Sequence, residues 1–171
     1  PVTPGAPVVP VLRLRGATGV LLALASLVGL VAFTWPLLVH PSGSENLAHA
    51  TDAPLVLLLL VPLLLAVVMA DLAQGQLDAK AVAVLGVLAA CGSLLRLPGG
   101  GTAGFEPVFF LLLPAGRVLG RGFGFVLGAV TLFSSALLTA GVGPWLPFQM
   151  LAAGWVGFSA GCLPARLRGR A

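Results

Sequence analysis

Few residues of this 171-residue chain could do chemistry, and their placement limits what that chemistry is. Arg96 and Glu106 flank the glycine run LPGGGTAG at positions 97–104. Almost every other charge lies at the end of an apolar stretch, and a charge inside such a stretch is a functional candidate by default. The two side chains have two open readings, an ion pair with each other or contact with a polar ligand. Gln149 falls in the first turn of the last apolar segment, where its amide either serves a ligand or satisfies the helix start. Trp145 offers an aromatic plane to a ligand, or sits as a belt residue at a membrane surface. The glycines at 99–104 and the turn at 143–147 let backbone approach a solute closely, because no Cβ intervenes. A few polar groups among apolar ones is the usual makeup of a small-molecule pocket.

Several chemistries are disfavoured. The chain shows no paired carboxylates for acid–base work, no histidine within an apolar stretch and no nucleophile beside a base, so no enzyme is expected. His40, Glu45, His49 and Asp52 share one polar loop but lack the spacing of a metal site, and no metal or other cofactor is expected. The glycine triplet 99–101 is not followed by Lys-Ser/Thr, which argues against a phosphate-binding loop. The formal charge of +4 is small and its arginines lie between apolar stretches, so they set topology and form no nucleic-acid patch. Cys91 and Cys162 lie inside apolar stretches and are expected to be inert packing, since reactivity needs an exposed thiolate.

These residues must be positioned by elements suited to a bilayer. The chain is 58% hydrophobic and only 8% charged, whereas soluble domains carry about 25% charged residues. The expectation is an all-α, polytopic transmembrane bundle in the cell membrane. Six spans are predicted, at 17–39, 53–70, 77–97, 105–119, 123–140 and 146–163. The first, of about 23 residues, is long enough for a ~30 Å hydrocarbon core. The fourth is short, about 22 Å by helical rise, and Pro114 is expected to interrupt it. Pro62 is a candidate kink in the second. Asp78 reads as the N-cap of the third, and Pro147 suits the first turn of the sixth. Thr131, Ser134 and Ser135 are expected to be satisfied by their own helix carbonyls. On the sixth span Ala153, Gly157 and Gly161 recur every four residues. Basic residues mark one side: Arg13, Arg15, Lys80, Arg117, Arg121, Arg166, Arg168 and Arg170, with only Arg96 opposed. The positive-inside rule then puts both termini in the cytoplasm.

On the third span, Ala79 and Ala83, then Gly86 and Ala90, are each four apart on one helix face. Such a ridge lets another helix come close, either within the fold or from a partner.

The stretches GFEPVFFLLLPAGRVLG, GRGFGFVLGAVTLFSSALLTAGVGPWLPFQM and LAAGWVG, with the helix before them, resemble the S component of energy-coupling factor (ECF) transporters. The resemblance covers residues 77–164. It implies a substrate-binding membrane subunit for uptake of a vitamin or similar micronutrient, energised by partner ATPase subunits through a transmembrane coupling subunit. It implies that the ridge Ala79, Ala83, Gly86 and Ala90 docks that coupling subunit, and that the glycine run acts as a gate, where the residues alone read equally as a plain connector. The resemblance starts only at the third span, so two family helices are expected to be missing. The chain divides into a Pro-rich lead (1–16), two extra spans (17–76), the partial family domain (77–164) and a basic tail (165–171). Beginning on Pro1, it is expected to be processed or a fragment. The alternative is an accessory or assembly protein whose helices only pack against partners.

Overall fold

The computed structural model describes residues 16–38, 53–73, 78–97 and 106–163. Among these the chain is all-helical: α1 Ala17–Leu38, α2 Ala53–Ala73, α3 Ala79–Arg96, α4 Phe109–Leu119, α5 Arg121–Leu138 and α6 Leu146–Cys162. The loop holding His40, Glu45, His49 and Asp52 lies outside the described residues. So do the glycine run at 99–104 and Arg13, Arg15, Arg166, Arg168 and Arg170.

Four helices, α1, α2, α3 and α5, are long and apolar enough to cross a membrane, which fits a transmembrane protein. Eighteen residues of helix rise about 27 Å, close to the ~30 Å of a hydrocarbon core. α1 and α2 carry Leu24, Leu27, Leu30, Leu58, Leu59 and Leu65 on their outer surfaces. Apolar surface on that scale needs lipid or protein against it. α6 has 17 residues and α4 only 11, so α4 alone spans about half of the core.

Helix starts follow local chemistry. Asp78 caps α3, its Oδ1 accepting the Ala81 N–H at 2.7 Å; such a cap is worth about 1 kcal/mol. α6 opens with Pro147 in its first turn, as expected. α4 begins later than the sequence suggests, because Glu106–Val108 form a tight i→i+3 turn ahead of Phe109. Pro114 does not interrupt α4; the helix runs through it. The ring lies on the exposed side, where it meets no neighbouring helix. α2 likewise continues past Pro62.

α5 is the central helix. Its apolar window is 67% buried, against 28% for α1, α2 and α3, and every residue from Gly122 to Ala129 is buried. α6 lies antiparallel along it, with Gly124 against Gly157 and Gly128 against Ala153. α4 packs beside both, with Gly116 touching Gly157, and Gly120 alone joins it to α5. That single-residue link holds φ 103, a conformation that needs glycine. α3 packs on the other side of α5 through Ala81, Leu85, Ala89, Gly92 and Ser93. α1 and α2 pair with each other and meet the rest at α6. There Trp155 Nε1 donates to Ser26 Oγ at 3.2 Å, Phe33 sits edge-on to Phe148, and Leu151 fills the space over Gly29.

The contact of Gly116, Gly124 and Gly157 is backbone on backbone. A Cβ on Gly124 would strike the Gly157 carbonyl oxygen and come within 2.8 Å of the Gly116 Cα. Neither obstacle can rotate away. We expect Gly124→Ala to lose about 1–2 kcal/mol net, overpacking of 1–3 kcal/mol outweighing the helix-propensity gain of about 1 kcal/mol. Gly86 has open space where a Cβ would go, so Gly86→Ala should gain about 0.5–1 kcal/mol. Unfolding of the two variants in detergent measures this; equal shifts would refute the close approach.

Candidate functional site

The end of the bundle where α3 and α5 finish and α6 begins holds a cavity of about 160 Å³. α3 contributes Arg96. α5 contributes Leu132, Ser135, Ala136 and Thr139. Gly141 follows, and α6 closes the wall with Trp145 and Gln149. Three of the four sequence-derived candidates, Arg96, Trp145 and Gln149, thus share one cavity. They arrive from different helices because α3 runs parallel to α5, with Ser93 beside Thr131, while α6 runs back from the same end.

Glu106, the fourth candidate, sits in the turn before α4 and faces Arg96 from outside the cavity wall. Its Oε2 is 3.7 Å from Arg96 Nε, with the two side chains 35% and 20% exposed. The separation is too long for a hydrogen bond, and Glu106 Oε2 is buried without a hydrogen-bond partner. The pair is therefore electrostatic and incompletely satisfied; exposed pairs of this kind contribute about 0–1 kcal/mol.

Local structure explains the wall on the α5 side. α5 ends with Gly141 N–H donating to Ala136 O at 2.9 Å, the closure of a Schellman motif. The residue that must turn left-handed is Ala140, at φ 51, a position usually given to glycine. That turn carries Gly141 to the cavity rim. Trp145 then folds over Gly143, where any Cβ would meet the indole ring. The ring remains 56% exposed.

The residues that sequence reasoning missed are Ser135 and Thr139. With Thr131 they recur every four residues, and this hydroxyl series runs along α5 toward the cavity. Thr139 Oγ1 donates to Ser135 O at 2.8 Å, as expected of a helical hydroxyl. Thr131 departs from that expectation. It is fully buried against α3, and its Oγ1 has no partner. The Thr131 side chain fills the space over Gly92, while Ser93 Oγ lies 2.8 Å from Ala89 O and 3.2 Å from Thr131 O.

The ridge residues Ala79, Ala83, Gly86 and Ala90 are all exposed, on the side of α3 turned away from α5. Cys91 and Cys162 are exposed as well. Neither packs inside the bundle: the buried stripe of α3 is taken by Ala89, Gly92 and Ser93, and Cys162 is the last residue of α6. Among the described residues no three His, Cys, Asp or Glu side chains could hold a metal. At the opposite end of the bundle stand Lys80, Arg117 and Arg121, with Arg117 Nη1 donating to Leu163 O at 2.8 Å.

A buried hydroxyl without a partner costs about 1–3 kcal/mol, and an apolar isostere removes that cost. Thr131→Val keeps the methyl over Gly92 and should raise stability by about 1 kcal/mol in thermal unfolding. A loss instead would mean that the hydroxyl has a partner in the membrane-embedded protein.

No protein-family model, no curated protein and no solved structure matches this chain.

Proposed function

We propose that this chain is the solute-binding membrane subunit of an uptake transporter of the ECF kind, taking up a vitamin or similar micronutrient and energised by partner ATPases. The observation that supports this best is the cavity itself. An arginine, two hydroxyls, an amide and an indole converge from three helices on one hollow, and no catalytic pair accompanies them. Convergent polar groups of this kind fix the orientation of a polar solute. In this reading six spans cross the cell membrane with both termini cytoplasmic. Lys80, Arg117 and Arg121 then mark the inner face by the positive-inside rule, and the cavity opens outward.

The exposed ridge on α3 serves the same reading. Four small residues turned away from the bundle leave a face to which another helix can come within backbone distance, and the coupling subunit is the partner proposed for it. The ridge alone would serve an accessory protein equally well; the polar cavity favours the solute binder.

Two experiments test the reading. Native mass spectrometry of the protein drawn from its own membrane should show a retained solute. That solute should rebind from the outer solution to right-side-out vesicles, and Trp145→Ala and Gln149→Ala should each weaken binding about tenfold. Unchanged affinity in both folded variants would place the site elsewhere. For the ridge, Ala83→Trp should reduce co-purification with a coupling subunit several-fold while solute binding persists; intact co-purification would argue against docking there.

A further inference from the structure

We infer that the cavity at the outer end of α3, α5 and α6 takes a small monocarboxylate, with Glu106 as its built-in competitor for Arg96. This rests on the solute-binding reading above and narrows it to a class of substrate.

Size is the first constraint. Pockets for drug-sized ligands span about 300–1,000 Å³, while an engineered cavity of about 150 Å³ is filled by benzene, a six-carbon ring. At about 160 Å³ this cavity belongs with the latter. That volume holds roughly six to eight heavy atoms.

Charge is the second. Among the described residues, Arg96 is the only charged side chain in the wall. Around it stand the Gln149 amide, the Ser135 hydroxyl and the Trp145 indole, which carry hydrogen-bond donors, while the Thr139 hydroxyl already donates to Ser135 O. A guanidinium carries five N–H donors in a planar fork that matches a carboxylate. Glu106 occupies at most one edge, through Nε at 3.7 Å. Leu132 and Ala136 back the wall, but both are nearly buried and its accessible lining is mostly polar. A monocarboxylate brings one negative charge to the one guanidinium. Inorganic phosphate would bring more negative charge than one arginine offsets.

Glu106 gives the proposal its distinctive consequence. Its carboxylate partly neutralises Arg96 without forming a hydrogen bond, and its buried Oε2 has no hydrogen-bond partner among the described residues. A bound carboxylate therefore competes with Glu106 for the same positive charge. Removing the negative charge at position 106 should strengthen binding, whereas a purely structural ion pair would make both single variants weaken it.

The test uses the full chain in detergent, with tryptophan fluorescence as the readout because Trp145 forms part of the wall. Butyrate, butyramide, butylamine, phosphate and riboflavin are titrated separately, and helix content is checked by circular dichroism. We expect saturable quenching by butyrate at least tenfold tighter than by butyramide, and none by butylamine or phosphate. Arg96→Gln should weaken butyrate binding tenfold or more, Arg96→Lys less, and Glu106→Gln should tighten it about threefold or more. Equal binding of butyrate and butyramide, tighter binding of phosphate, or weaker binding in Glu106→Gln would overturn the inference. Should Arg96→Gln fail to fold, Glu106→Gln and the ligand series decide alone. Riboflavin binding without butyrate binding sinks the small-carboxylate inference and leaves the solute-binding reading standing. Failure of every probe, with no retained solute in native mass spectrometry, removes both.

Discussion

The backbone contact among Gly116, Gly124 and Gly157 is the constraint on which the rest of the bundle depends. Lipid tails are as apolar as leucine side chains, so burying apolar surface gives helices in a bilayer little reason to prefer each other over lipid. Close van der Waals packing supplies that reason. At this junction three helices meet with no side chain between them, and the carbonyl of Gly157 occupies the place where a Cβ of Gly124 would stand. α5 and α6 are thereby held along their length. α4, too short to span on its own, is held because Gly116 joins the same contact and Gly120 ties it directly to α5.

The cavity is a consequence of this arrangement. With α5 clamped to α6 at one face, its hydroxyl-bearing face turns toward α3. Gly92 and Ser93 let α3 approach Thr131 there. The helices α3 and α5 run the same way, so both end at the same level, and the left-handed turn at Ala140 returns the chain to start α6 beside them. Arg96, Thr139 and Trp145 meet because three helix ends meet. The incomplete pair of Arg96 and Glu106 lies at that same end of the bundle.

The α1–α2 pair is attached differently. It meets the core along α6 through the Trp155–Ser26 hydrogen bond, the edge-on contact of Phe33 with Phe148 and its tilted contact with Trp155. Between α2 and α5 an apolar groove of about 190 Å³ remains, lined by Val61, Leu64, Val130, Phe133 and Met150 among others. The pair thus adds apolar surface and a second wall to the bundle without contributing to the polar cavity.

Composition and periodicity by themselves determined the all-helical class, the helix order and most helix ends. Those depend on local causes: apolar length, the Asp78 cap and Pro147 in a first turn. The glycine and alanine series Ala153, Gly157 and Gly161 was visible as spacing, and Gly124 and Gly128 on α5 are the residues that meet Gly157 and Ala153. Arg96, Trp145 and Gln149 stood out by residue type. Tertiary structure decided which of these met. Spacing gives the face of a helix but not the neighbour that face receives. That is why the inward role of Ser135 and Thr139, the unpaired hydroxyl of Thr131 and the outward turn of the Ala83 ridge could not be read in advance. The size of the cavity also came only from packing, because spacing along one helix does not give the volume left where three helix ends meet.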